Sequence, residues 1–417
     1  MWLQTTTTQE RRALLATYAG YGLDGFDFMI YSFVIPSLLV LWGMSKAEAG
    51  YIASGALVTS AVGGWAAGVL ADRYGRSRIL QLTVVWFAVF TFLSGFANSF
   101  GQLFFTRAMQ GFGFGGEWSV GSVLVAEMID ARHRGKATGL VQSSWSVGWA
   151  AAALAFWAVS LLVPAAIAWK ILFWLGILPC LLVIYIRRNV PEPQIFMQLR
   201  AARAAAAGAA GRRGGFLDIF RPPLLRTTIL ATTLSTGMLA AYYSITTWLP
   251  TFLATERHLS VAGTTGYLLM VITGSLAGYL VSAWLTDAIG RRRSFILFAA
   301  GATVLIVLYT HMPVTGGMFL IGFPLGFFVL GIFSGMGACL AELFPGAVRG
   351  SGQGFTYSVG RGIGGFCPSL IGLLSTRMAL GDAIAAFTVA AYAVVIVSAW
   401  AIPETRGRVL IESAVET

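Results

Sequence analysis

Charge is scarce in this chain of 417 residues: 11% are Asp, Glu, Lys or Arg, with 17 acidic against 28 basic side chains. Three cysteines and three histidines complete a short inventory of reactive groups. Cys180, Cys339 and Cys367 fall inside or at the ends of apolar runs, with no metal-ligand spacing and no reason to pair. His133, His258 and His311 are scattered, and no Ser/His/Asp arrangement or phosphate-binding loop accompanies them. An enzyme active site, a metal site and a cofactor site therefore have no candidate residues. A water-soluble globule is excluded too, because 57% hydrophobic residues and a mean hydropathy of +0.76 leave too little polar surface. The first apolar run lacks a small-residue cleavage site, so it is expected to stay as a helix rather than be removed as a signal peptide.

What the chain has is long apolar runs. About 20 apolar residues cross the hydrocarbon layer as a helix, and such runs recur at 14–42, 48–71, 79–97, 102–127, 137–160, 166–186, 227–254, 264–287, 294–311, 315–341, 352–376 and 383–402. Runs apolar on every face, such as Ile171 to Ile186, do not alternate as barrel strands must. The expected fold is all-α, with twelve transmembrane helices. Of the 28 basic residues, 22 fall on the side of the termini and the even-to-odd connections; the others are Lys46, Arg107, Lys170, Arg257, Arg361 and Arg377. Cytoplasmic loops carry the basic excess, so both termini are expected in the cytoplasm. The net charge of +11 is thereby topological, and dispersal over short loops argues against a nucleic-acid surface.

The two halves repeat. Asp72-Arg73-Tyr74-Gly75-Arg76 returns as Asp287-Ala288-Ile289-Gly290-Arg291, a shift of 215, and Glu127, Arg134 and Gly135 return as Glu342, Arg349 and Gly350 at the same shift. Pro191-Glu192-Pro193 and Pro403-Glu404-Thr405 end the halves alike. Duplicated halves are the architecture of secondary transporters with a midplane site. The expected organisation is a six-helix bundle at 1–188, a cytoplasmic linker with short helices at 189–226, and a second bundle at 227–417. Phe220-Arg221-Pro222-Pro223 stops any helix before the seventh span.

Gly68-Val69-Leu70-Ala71-Asp72-Arg73-Tyr74-Gly75-Arg76 resembles the signature loop of the major facilitator superfamily. Arg107-Ala108-Met109-Gln110-Gly111-Phe112-Gly113 resembles its fourth-helix motif, and Pro403-Glu404-Thr405-Arg406-Gly407 its usual ending. Leu23-Asp24-Gly25-Phe26-Asp27-Phe28 is similar to the first helix of the proton symporters for organic acids. Gly360-Arg361-Gly362-Ile363-Gly364 with Pro368 is similar to the aromatic-acid group, and Gly115-Gly116-Glu117-Trp118 to the sialic-acid/lactate group. Helix seven lacks the charged motif of the eukaryotic lactate carriers, Pro191-Glu192-Pro193 is not the sugar-porter junction, and helix five lacks the Gly-Pro motif of drug exporters. The resemblance implies alternating access by two rocking halves, no enzymatic activity and no cofactor.

Charges at bilayer depth point to function unless paired. Glu127 and Glu342 recur beside matching arginines, which suggests a gating network of Asp72, Arg76, Glu127 and Arg134 in one half and Asp287, Arg291, Glu342 and Arg349 in the other. In it Arg76 and Arg134 are expected to pair with Glu127, and Arg291 and Arg349 with Glu342, while Asp72 caps a helix of the opposite half. Gly75 and Gly290 permit the tight turns. Asp24, Asp27, Glu117 and Arg361 have no charged counterpart in the other half, so the architecture does not call for them.

Asp24 and Asp27, three residues apart, share a helical face. Two carboxylates crowded at low dielectric repel, so at least one is expected to exchange a proton near neutrality; packing hydrogen bonds are the alternative. Arg361 offers a planar fork that takes a carboxylate bidentately, or else pairs with one of those aspartates. Glu117 is a second proton carrier candidate, and Arg107 either modulates proton access or pairs with an acid. The glycines around them are expected to let a neighbouring helix approach closely. Trp118, Gln142, Trp145, Trp149, Tyr242 and Tyr243 are candidate pocket residues, although interfacial belts also use Trp and Tyr. The expectation is proton-coupled uptake of an organic anion by a monomer in the bacterial inner membrane. A sugar or zwitterion carrier, an organic-anion exporter and a non-transporting receptor of the same fold remain alternatives.

Overall fold

Within a bilayer every backbone N–H and C=O needs an internal partner, and a helix gives one to each residue. The computed structural model describes residues 6–128, 134–189, 216–345 and 348–406, and among these all regular structure is helical. The side chains of Asp72, Trp118, Glu127 and Arg134 lie outside what is described, as does most of the linker, 190–215.

Spans one to five are α1 (Thr8–Leu41), α2 (Lys46–Tyr74), α3 (Arg76–Ser94), α4 (Phe100–Met128) and α5 (Arg134–Leu162). The sixth is in two pieces, α6 (Ala165–Leu175) and α7 (Pro179–Asn189). A 3-10 turn at Phe216–Phe220 precedes α8 (Leu224–Thr255), α9 (Val261–Ile289) and α10 (Arg291–His311). The tenth span joins α11 (Gly316–Gly331) to α12 (Met336–Leu343) through a 3-10 turn at Ile332–Gly335. The eleventh is α13 (Arg349–Gly364) and α14 (Cys367–Leu374), and the twelfth is α15 (Leu380–Ala401). Twelve spans thus stand where the apolar runs place them. Among the described residues, ten are long and apolar enough to cross a membrane by length and composition alone. The other two, α4 and α13–α14, are those carrying Arg107, Glu117 and Arg361.

Local signals set the ends. Helix α1 starts ahead of its apolar run because Thr7 and Glu10 form a capping box: Glu10 N donates to Thr7 Oγ1 (3.2 Å) and Thr7 N to the Glu10 carboxylate (2.7 Å). Ser45 and Glu48 do the same for α2. Between α2 and α3, Gly75 has φ 112°, and between α9 and α10, Gly290 has φ 96°. Residues with a Cβ rarely enter that region, so both turns need glycine as expected.

The halves pack alike: α2 lies on α4 as α9 lies on α11, and α1 on α5 as α8 on α13. The glycine-lined approach expected for α4 is there. A Cβ on Gly115 would meet the Ser60 carbonyl oxygen at 1.7 Å, and in the other half one on Gly326 would meet the Val271 carbonyl oxygen at 1.8 Å. Between the halves, α5 meets α9, α1 meets α8, and α2 meets α13 and α14. Ser146 Oγ and Ser275 Oγ share a hydrogen bond of 2.7 Å across α5 and α9. At the end away from the termini the seam is tight: Ser369 N donates to Ser54 Oγ (3.1 Å).

Candidate functional site

A small cavity of about 20 Å³, room for about one water molecule, lies between the halves. Tyr21, Phe114 and Trp145 line it from one half; Leu239, Tyr242, Tyr243, Tyr279, Phe333, Tyr357 and Arg361 line it from the other. Eight of these ten side chains are aromatic, and Arg361 is the one cation among them.

Arg361 lies in the last turn of α13, which ends at Gly364 ahead of Pro368, a residue with no N–H to give. A cation in a last helical turn faces the negative end of the dipole. The side chain is 3% exposed, donates from Nη2 to Tyr357 Oη (3.0 Å), and lies between the rings of Phe114 (5.0 Å to the centroid) and Tyr357 (4.8 Å). Among the described residues its Nε has no partner. The sequence left open an ion pair with Asp24 or Asp27; among the described residues Arg361 forms none, and it rests on aromatic faces instead.

The acidic cluster divides differently from the expected Asp24–Asp27 pair. Asp24 on α1 and Glu117 on α4, both fully buried, turn their carboxyl groups toward each other, and among the described residues none of their four oxygens meets a donor. Two bare acceptors cannot hydrogen-bond, whereas a single proton held between them makes the contact favourable. Gly20 makes room for this, since a Cβ there would stand 2.5 Å from Glu117 Oε1. Asp27 belongs to a separate knot. Its Oδ2 accepts from Thr91 Oγ1 (2.7 Å) and Gln110 Nε2 (2.8 Å), and Arg107 lies near it, enclosed by the rings of Tyr31 (5.3 Å) and Phe173 (5.7 Å). On α4, Arg107, Gln110, Phe114 and Glu117 follow one face at helical spacing, and they meet Tyr31, Asp27, Phe28 and Asp24 of α1.

Of the pocket candidates, Trp145, Tyr242 and Tyr243 line the cavity. Gln142 and Trp149 are buried away from it, and the Trp118 side chain is not described. Tyr21 and Tyr357 were legible as residues one turn before Asp24 and Arg361. Phe114 was legible from the α4 spacing. Tyr279 and Phe333 gave no signal.

In the gating network, Arg291 binds Glu342 through Nη2 (2.9 Å) and Nε (3.2 Å) and pairs with Asp287 one turn away. Arg349 departs from expectation: its Nε donates to the Ala341 carbonyl (3.0 Å), and among the described residues it forms no ion pair with Glu342. Thr405 Oγ1 fills that place on Glu342 (2.6 Å). Arg76 donates to the Ala71 carbonyl (2.8 Å); its expected partner Glu127, and Asp72 and Arg134, lie outside the described side chains.

Two helical bundles meeting over a cavity with one cation and a buried acid pair define a secondary transporter. The model of the Major Facilitator Superfamily matches residues 17–368, and the chain belongs to that family. It is 40% identical over 407 residues to a probable 4-methylmuconolactone transporter of Cupriavidus pinatubonensis, covering 97% of this chain and 93% of that one. A cis,cis-muconate transport protein of Acinetobacter baylyi is 29% identical, with 88% of each chain covered, and a sialic acid transporter of Escherichia coli is 28% identical, with 95% of each covered. The crystal structure of a D-xylose-proton symporter superposes with a TM-score of 0.75 over 96% of this chain and 100% of that one; at 17% identity it shares the fold.

Proposed function

We propose that the chain is a proton-coupled importer of small, flat organic monocarboxylates. It works as a monomer in the bacterial inner membrane, with both termini cytoplasmic, as the basic loops favour. The observation that carries this is Arg361, a buried guanidinium with an unpartnered Nε in a cavity walled by aromatic rings. A carboxylate on that fork and a planar body among the rings would satisfy both. Relatives named for muconolactone, muconate and sialic acid support an organic acid. The proton rides on Asp24 and Glu117, and Asp27, with Arg107, is the fixed anion behind them. Residues 1–188 and 227–417 rock about the cavity, with 189–226 as linker. Asp72, Arg76, Glu127 and Arg134, and Asp287, Arg291, Glu342 and Arg349, latch the cytoplasmic ends.

The test is uptake into proteoliposomes of a panel of aromatic, lactone and sialic acids. Accumulation is expected to need an inwardly directed proton gradient and to collapse with protonophore. Accumulation that instead follows a sodium gradient overturns the coupling, neutral sugars outcompeting the acids overturn the substrate class, and binding without flux points to a receptor.

A further inference from the structure

The guanidinium of Arg361 and the Asp24–Glu117 carboxyls are within electrostatic reach of one another, yet among the described residues no ion pair joins them. Opposite charges buried together at low dielectric are expected to close up, so something must hold them apart. The ring of Phe114 takes one face of the guanidinium, its centroid 5.0 Å from Cζ. Phe114 stands one turn before Glu117 on the same side of α4. It is 3% exposed and fixed from behind, stacked on Phe28 (5.6 Å, 18°) and tilted against Trp145 (6.0 Å, 50°). The ring of Tyr357 lies as close, 4.8 Å from Cζ to its centroid, and its hydroxyl accepts a hydrogen bond from Nη2.

We infer that Phe114 is a positioning residue that keeps Arg361 off the Asp24–Glu117 pair, so that the cation stays available to a substrate carboxylate and the acids stay available to a proton. This rests on the proposed function for the identity of the two sites, but the separation itself is a property of the empty carrier. A ring does this where an aliphatic side chain does not. Its face attracts the guanidinium without neutralising it, and its bulk fills the path along α4. Without the ring, Arg361 swings onto Glu117, the acid one turn further along the same side of α4. That ion pair competes with the substrate for the fork and with the proton for the carboxyl. Tyr21, Tyr243 and Tyr357 are the other titratable groups facing Arg361, and they are hydroxyls that do not compete in this way.

A double-mutant cycle tests this with full-length protein: wild type, Phe114→Leu, Glu117→Gln and the double variant. The readouts are the dissociation constant for the tightest acid of the panel and the melting temperature without ligand. Phe114→Leu is expected to weaken binding tenfold or more, and adding Glu117→Gln is expected to bring it back to within threefold of Glu117→Gln alone. In the ligand-free carrier, Glu117→Gln is expected to lower the melting temperature more with Leu at 114 than with Phe, because only there does it break an ion pair. Additive effects in both readouts overturn the inference. So does an equal loss of binding with or without Glu117, which would make the ring a direct substrate contact. Phe114→Met, which has bulk but no ring face, takes the same place in the cycle if the Leu variant is not monodisperse. If no acid binds wild type, the proposed function fails, while the melting cycle still decides the role of Phe114.

Discussion

The indole Nε1 of Trp145 donates to the hydroxyl of Tyr242 over 2.6 Å, a bond that ties α5 to α8 across the cavity. Both rings line that cavity, and both are buried. The halves cannot rock far at this level without breaking the bond. Tyr242→Phe leaves a buried N–H without an acceptor, which costs about 1–3 kcal/mol. The variant is expected to melt several degrees lower without ligand and to bind its acid within about fivefold of wild type, since Arg361 is untouched. Melting curves with and without acid check this; loss of binding would make the hydroxyl a substrate contact.

Asp24 and Asp27 are expected to separate in function although they share a helix face. Asp24→Asn and Glu117→Gln remove the site of a shared proton, so accumulation should fail while counterflow, which needs no net proton movement, survives. Asp27 accepts from two donors beside Arg107, and Asp27→Asn turns an amide toward them and strips Arg107 of its counter-charge. Breaking one member of a buried charged set costs about 3–5 kcal/mol. That variant is expected to lose thermal stability first and transport with it. A stable Asp27→Asn carrier that exchanges but does not accumulate would move the proton to Asp27.

That division marks how far the sequence reads. The spans were legible because the bilayer forces long apolar helices, and the capping box at Thr7 and Glu10 was there to extend α1 beyond its apolar run. The i, i+3 spacing put Asp24 and Asp27 on one face. It says nothing about rotation against α4, which sends Asp24 to Glu117 and Asp27 to Gln110. Arg361 stood out as a charge without a counterpart in the repeat, yet its resting place between Phe114 and Tyr357 depends on where α13 breaks. Tyr279 and Phe333 sit in apolar helices where an aromatic residue is unremarked until the cavity gathers them.

At the end away from the termini, α2 crosses α14 with no room to spare. A Cβ on Gly50 would stand 2.5 Å from the Pro368 oxygen and 2.9 Å from Ser369 Cα, both backbone atoms that cannot turn aside. Gly50→Ala is therefore expected to hold this end open. Turnover in proteoliposomes should fall tenfold or more while acid binding persists, and a cysteine introduced by Ser54→Cys should label from that side. Wild-type turnover would mean that the helices part easily here.

Glu404 crowns the N-terminus of α10, accepting from Arg291 N (2.9 Å) and Arg292 N (3.2 Å) as well as from Thr405 N and Arg406 N (3.0 Å each). Partial burial pushes its carboxyl up, but these backbone donors outweigh it and hold the group below its ordinary 4.5. A depressed carboxyl contributes stability that is full above the ordinary value and is lost as pH falls through the folded one. Glu404→Gln is expected to cost about 1 kcal/mol at pH 7, as a lost helix cap does. The gap in melting temperature from wild type should close below pH 4.5, the ordinary value. A gap that persists at lower pH would mean that the charge is not what Glu404 contributes.

Arg361 carries the sharpest prediction. Among the described residues the guanidinium has a hydrogen bond to Tyr357, two aromatic faces and no carboxylate, so an incoming acid finds a buried cation without an anion. Removing one partner of a buried charged pair costs about 2–5 kcal/mol, which is roughly 30-fold to several-thousand-fold in affinity. Arg361→Ala should lose at least that much. Arg361→Lys keeps the charge but gives up the planar fork and the stacking on Phe114 and Tyr357, so it too should bind well over threefold more weakly. The measurement is the dissociation constant of the tightest acid for the three proteins, with a size-exclusion profile to show that each is folded. If both variants fold and bind within about threefold of wild type, far below the cost of a lost buried pair, the carboxylate is held elsewhere and Arg361 is there to join α13 to α4 through Phe114.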